Sequence, residues 1–175
     1  MSDVFDIAIV GAGIAGATLA AAIGDRARVL LLEAEGQPGY HSTGRSAAFW
    51  SETYGGPGVQ PLTTLSGPPL RDGGFLDPLG AIHVGRTGEE ALADRFLADF
   101  QGSGVTLARV DPHAFVPGLR PEWTIGIAEP SCAYIDTAGY HADALARARR
   151  AGARLVAGAS LTAAQRDGEI GRAHV

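Results

Sequence analysis

An α/β fold opening on a strand–helix–strand unit with parallel strands is predicted by three features near the N-terminus. Val4 to Val10 (VFDIAIV) is almost continuously apolar, and the glycines Gly11, Gly13 and Gly16 follow it at once. A second apolar run, Val29 to Leu32, ends on Glu33. That acid stands at the ~20-residue offset that dinucleotide-binding units carry.

Taken in order, Val4 to Val10 reads as a strand covered on both faces, with Asp6 its one polar interruption. Ile14 to Ile23, rich in Ala around Leu19, has good helix propensity and a smooth surface able to lie close on a sheet, and Gly24 and Asp25 end it. Val29 to Leu32 is a second buried strand. After Glu33 comes GQPGYHSTGRSAA and then a Gly/Pro-rich region from Gly55 to Gly74, where only QPLTTL has weak helical character. Gly80 to Gly85 suggests a short strand, and Glu89 to Gln101 a helix carrying Leu92, Phe96, Leu97 and Phe100 on one side. Val105 to Val110 and Thr124 to Glu129 are further strand candidates. Thr137 is placed as the N-cap of a helix running to about Ala151. Arg147, Arg149 and Arg150 lie near its negative end, and Gly152 is its stop. Arg154 to Ala157 then returns to strand.

The 175 residues are 46% hydrophobic and 19% charged, the balance of a soluble globular protein. A net charge of −5 argues against nucleic acid as a partner, because neutralising phosphates needs a basic face. All 14 cationic residues are Arg, which reads as coding bias. One cysteine, Cys132, makes neither an internal disulfide nor a thiolate metal cage, so a reducing, cytoplasmic setting is expected. No secretory leader precedes the first strand, and no apolar run nears the ~20 residues of a transmembrane segment.

The glycine spacing has a physical purpose. Gly11 permits the tight turn, Gly13 lets the backbone approach a pyrophosphate, and Gly16 lets the helix pack closely on the strand. The helix N-terminus offers unpaired N–H groups to phosphates. Glu33 would accept hydrogen bonds from the ribose hydroxyls, and its charge would repel a 2′-phosphate, which disfavours NADP. The competing interpretation is an ordinary tight turn with Glu33 as a solvated strand end. FAD and NAD both use this pattern.

In the loop that follows, the small residues Ser42, Thr43, Gly44, Ser46, Ala47 and Ala48 let backbone donors approach a flat or anionic ligand, and Arg45 adds a cation. The alternative is a surface loop with a helix N-cap at Ser46. His41 reads as structural. His83, His113 and His141 show no ligand spacing, and neither a G-x-S-x-G elbow nor H-E-x-x-H is present, so hydrolase and zinc chemistry lack support.

Gly39 to Ala48 (GYHSTGRSAA) resembles the flavin-proximal loop of the D-amino-acid oxidase superfamily, most closely that of D-arginine dehydrogenase-like proteins. The likeness runs from Phe5 to about Tyr54, fades, and returns at Tyr134-Ile135-Asp136-Thr137. It implies a Rossmann-like FAD-binding βαβ unit with part of a β-rich substrate domain, α+β overall and truncated. Residues 1–54 would be the βαβ unit and flavin-proximal loop, 55–136 a partial substrate-domain insertion, and 137–168 the return to the FAD-binding domain. By the same resemblance Ala15 lies on the pyrophosphate, Glu33 and Ala34 hold the adenosine end, Ser42 through Phe49 run along the pyrophosphate and isoalloxazine, and Tyr54 faces the substrate. Tyr54 can equally well simply pack.

Members of that family are much longer, so the chain is expected to be an inactive N-terminal fragment. Its last seven residues, EIGRAHV, match the translation of a common sequencing-adapter string, which makes 169–175 a non-native tail. The implied parent enzyme oxidises an amine or amino acid by hydride transfer to flavin, giving an imine that water hydrolyses. No general base is identifiable, and the electron acceptor stays open. Relatives carry His where Phe49 stands and a Glu aligned loosely with Ala81, so a neutral substrate is expected. A small shift in that alignment would bring Asp72, Asp77 or Glu89 into the carboxylate's role. The other function classes are an NAD-binding oxidoreductase and a non-catalytic nucleotide-binding module.

Overall fold

The computed structural model describes residues 4–46, 48–167 and 170–174. In chain order the elements are β1 (Ile7–Val10), α1 (Ile14–Ile23), β2 (Val29–Leu32), β3 (Phe49–Trp50), α2 (Gln60–Asp72), β4 (Leu76–Pro78), β5 (Ala81–Gly85), α3 (Glu90–Asp99), β6 (Ala108–Val110), β7 (Ile125–Glu129), β8 (Ala133–Ile135), α4 (Thr137–Arg150), β9 (Arg154–Val156), β10 (Ala163–Asp167) and β11 (Ile170–His174). They fall into two units, Met1–Ala47 with Thr137–Val175, and Ala48–Asp136.

The first unit is the α/β half. β1 pairs with β2 in parallel from Ile7↔Val29 to Val10↔Leu32, and β2 pairs with β9 in parallel, giving the order β1-β2-β9. Ile9, Ala12, Ala20, Val29, Leu31 and Ala148 form its core, with Ala21, Ile23, Leu145, Ala153 and Leu155 packed around them. Small side chains line the contact of α1 with α4, where Ala20 and Ala144 are wholly buried. With no long side chain between them, the two helices approach closely. Gly24, at φ 62°, ends α1 as its sequence suggests.

Departures from expectation have identifiable causes. β1 begins at Ile7, because Asp6 is engaged with Arg28: its carboxylate accepts from the Arg28 N–H at 2.7 Å and its own N–H donates to the Arg28 carbonyl at 3.0 Å. Nor is β1 covered on both faces. It is an edge strand of this sheet, and of its four residues only Ile9 is buried. Thr137 is the first residue of α4 rather than its cap. The segment given no element beyond Ala157 holds the antiparallel pair β10 and β11, and β11 falls within the expected tail.

The second unit contains two antiparallel sheets, ordered β3-β8-β4 and β5-β7-β6. Ala93, Ile125 and Ile127 form a core with Phe96, Leu97 and Leu107. α2 extends well beyond QPLTTL and contains Pro68 and Pro69. These prolines release the carbonyls of Thr64 and Leu65, both exposed residues on which water can replace the lost bonds. The buried side of α2, at Gln60, Gly67 and Leu70, keeps its packing, and the Trp50 indole N–H donates to the Thr63 carbonyl at 2.9 Å. Among the described residues, no helix is long and apolar enough to cross a membrane.

Candidate functional site

The turn between β1 and α1 is built by two glycines with different tasks. Gly11 takes φ +95°, a left-handed conformation that a side chain would strain, and its N–H reaches across to the Leu32 carbonyl at 2.8 Å. Gly16 sits so close to the turn that a Cβ would lie 1.9 Å from the Gly11 oxygen, so no other residue fits there. A Cβ on Gly13 would stand 3.0 Å from the Thr43 hydroxyl. The N–H groups of Gly13 to Gly16 open α1 and, by position, have no acceptor within the helix. That of Ile14 donates to Thr43 Oγ1 at 3.0 Å. Thr43 keeps its own hydroxyl proton to donate onward.

Glu33, 8% exposed at the end of β2, faces this turn. Its Oε2 accepts from the wholly buried Ala12 N–H at 2.9 Å, and its Oε1 accepts from the Glu35 N–H at 3.0 Å. The Glu35 N–H is the main reason its carboxyl titrates below the ordinary value of 4.5. Burial opposes the shift, and the N–H groups of Ala12 and Ala34 and the neighbouring His41 reinforce it. Glu33 is therefore a carboxylate at neutral pH. Each oxygen retains acceptor capacity after taking one N–H, which suits a pair of ribose hydroxyls.

The remaining sequence candidates are placed as follows. Ala15 is exposed in the first turn of α1, and Ala34 is exposed directly after Glu33. Thr43, Gly44 and Arg45 form a 3-10 turn that Ser42 precedes and Ser46, in extended conformation, ends, so Ser46 caps no helix. The Arg45 guanidinium stacks over the Tyr40 ring at 5.1 Å. His41 pairs with Glu35 at 2.8 Å. Ala47 lies outside the described residues. In the other unit, the Ala48 carbonyl accepts from Ile135 N–H, while Phe49 and Tyr54 are 55% and 83% exposed.

Sequence reasoning passed over two further groups. His141, on the buried side of α4 with Ala144 and Ala148, has its Nε2 2.7 Å from the Ala12 carbonyl oxygen. A histidine at a helical spacing of buried alanines was the available signal. In the second unit Glu129 is wholly buried at the end of β7. Its Oε2 accepts from Thr53 at 2.6 Å, Ser51 at 3.0 Å and His83 Nε2 at 3.1 Å, and its Oε1 from the Glu52 N–H at 2.7 Å. Burial pushes the carboxyl upward, but the bonds from His83, Thr53, Glu52 and Ser51 outweigh it and lower the pKa to about 2. No local pattern joins Glu129 to residues 76–78 positions away.

A family model described as "FAD dependent oxidoreductase" (DAO) matches residues 6–175. Among solved structures, L-proline dehydrogenase from P. horikoshii superposes with a TM-score of 0.84 at 19% identity, covering 96% of this chain and 48% of that one. Glycine oxidase from Geobacillus kaustophilus gives 0.79 at 22% identity, covering 97% and 50%. L-alpha-glycerophosphate oxidase from Mycoplasma pneumoniae, solved with FAD bound, gives 0.79 at 13% identity, covering 96% and 48%. At these identities the likeness establishes the fold alone, a mixed α/β arrangement with a Rossmann-like portion. The chain spans about half the length of the structures it matches. The alternative of an NAD-binding enzyme gains no support.

The Glu129 cluster yields a pH signature. Because folding lowers this pKa from 4.5 to about 2, its stabilising contribution is complete above pH 4.5 and is lost as the pH falls through about 2. Urea unfolding across that range should show a steeper loss of stability in the wild type than in Glu129→Gln. Glu129→Ala, which removes the acceptor that four donors share, is expected to cost about 3 kcal/mol at neutral pH. Equal acid slopes in wild type and Glu129→Gln would remove the ionised carboxylate from this role.

Proposed function

The chain belongs to the DAO family of FAD-dependent oxidoreductases, and from that premise we propose that its first unit holds the ADP half of FAD in an enzyme that oxidises a small amine or amino acid. The observation that carries this reading is the ionised Glu33 carboxylate, anchored by Ala12 and Glu35 beside the open N-terminus of α1. The donor set suits the ligand: backbone N–H groups and the Thr43 hydroxyl for a pyrophosphate, and a carboxylate with spare lone pairs for a ribose. Gly11, Gly13, Ala15 and Gly16 form the pyrophosphate side, and Glu33 and Ala34 the adenosine side. Ser42, Thr43, Gly44, Arg45 and Ser46 continue along the cofactor, with Ala47, Ala48 and Phe49 toward its reacting end. The chemistry that FAD would supply when bound is acceptance of a hydride from the substrate's α-carbon. The protein's part is to bind and orient.

Glu33→Gln is the discriminating variant, because the amide oxygen still accepts from Ala12 while the charge is lost. It is expected to weaken FAD binding by about tenfold, measured by quenching of flavin fluorescence on titration of the flavin-free intact protein. Glu33→Ala should also lower stability, since it strands the buried Ala12 N–H. FAD affinity unchanged by either substitution would contradict the assignment.

For the substrate, we favour a neutral amine or amino acid, with a D-amino acid the leading candidate and Tyr54 on the substrate side. In contrast to D-arginine dehydrogenase-like proteins, Phe49 replaces a His and Ala81 stands where a Glu is aligned. The carboxylate across the strand pair from Ala81 is Glu129, which is wholly buried and already accepts four hydrogen bonds. It is therefore unsuited to a cationic side chain. A cation bound without a carboxylate loses its charge-assisted partner and keeps its desolvation cost. Steady-state kinetics of the intact enzyme on a panel of D-amino acids should give a higher kcat/KM for neutral members than for arginine or lysine. D-Arginine as the best substrate would overturn the preference.

A further inference from the structure

Both backbone polar groups of Ala12, which belong to two successive peptide units, are held. The N–H donates to Glu33, and the carbonyl faces His141 Nε2 at 2.7 Å. A carbonyl oxygen can only accept, so Nε2 carries the proton and donates, which fixes the role of that nitrogen. The imidazole is 8% exposed and lies against Gly39, where a Cβ would come within 2.9 Å of its Cε1. Both partners are therefore shut away from water, and a lost bond could not be replaced from solvent.

We propose that His141 is a positioning residue of the dinucleotide site: by fixing the Ala12 carbonyl it sets the plane of the Ala12–Gly13 peptide, whose other end is the Gly13 N–H, the first of the open N–H groups of α1, while Glu33 holds the preceding peptide through the Ala12 N–H. This rests on reading the first unit as the FAD site. A peptide plane with neither polar end bonded can rotate about its Cα–Cα axis, and rotation of this one would turn the Gly13 N–H away from a phosphate and loosen the turn. The bond from His141 Nε2 to the Ala12 carbonyl opposes that rotation. The entropy of ordering the turn is then met during folding rather than at the moment of ligand binding, which raises affinity without any contact between His141 and the ligand. An apolar ring in its place would fill the volume but strand the carbonyl.

The test compares His141→Phe, which keeps a ring, with His141→Gln, whose side-chain amide N–H reaches a similar position. Both are made in the intact protein, and the melting temperature of each flavin-free form checks that it folds. In His141→Phe, amide hydrogen exchange across residues 11–16 should accelerate in the flavin-free protein, and the Kd for FAD should rise by about tenfold. In His141→Gln both should stay close to wild type. Wild-type exchange and affinity in His141→Phe would overturn the proposal. So would equal losses in the two variants, because the ring's volume rather than its N–H would then be what matters. A wild-type protein that takes up no FAD would contradict the reading of the site itself, while the exchange comparison would still judge the hold on Ala12 independently.

Discussion

A residue that follows a strand and precedes a helix belongs to neither hydrogen-bond ladder, and Ala12 has no access to water either. Its N–H and carbonyl must find partners elsewhere or cost the fold the full penalty of two buried, unpaired polar groups. The partners come from distant parts of the chain, Glu33 at the end of β2 and His141 on α4. Much else in the first unit follows from this requirement. β2 must end level with the turn, α4 must lie against α1, and alanines must line the contact between those helices so that His141 can reach Ala12. The absence of a side chain at Gly16 completes the close approach. The same arrangement leaves an ionised carboxylate and the N-terminus of α1 facing one place. That pairing of negative charge with open N–H groups suits a nucleotide, which carries ribose hydroxyls at one end and phosphates at the other.

The second unit meets a comparable constraint with a different set of groups. Glu129 is removed entirely from water yet remains ionised, because four donors from residues 51–53 and His83 surround it. A buried charge satisfied in this way does little for net stability compared with an apolar side chain, but it is demanding about geometry. Here it fixes the backbone at Glu52, two residues before the exposed Tyr54, and ties it to β5 and β7. The carboxylate is used to hold that turn in place and is not available for a ligand.

What was legible in the sequence follows from how far each signal reaches along the chain. The bounds of α1 and β2 were readable because apolar runs and glycine stops are local, and the glycine turn was readable because its steric demands fall within six residues. Asp6, Pro68 and Pro69 misled for opposite reasons. The first looked like a tolerated interruption and instead delays β1, while the prolines looked like breakers and are accommodated on the exposed side of α2. β3, β4 and β8 have only two or three residues, too few to show a period. The bonds from His141 to Ala12 and from Ser51 to Glu129 span 129 and 78 residues, and no local pattern encodes a contact at such separation.

The central claim is that Glu33 recognises the ribose of a bound dinucleotide, and it is tested most directly by competition at that end of the ligand. Flavin-free intact protein should bind ADP, and adding a phosphate to the 2′-hydroxyl of ADP should weaken binding by at least about tenfold, because the phosphate is brought against an ionised carboxylate in place of a hydrogen-bonding hydroxyl. Isothermal titration calorimetry with the two ligands measures this. Equal affinity for both, or tighter binding of the 2′-phosphorylated ligand, would contradict it.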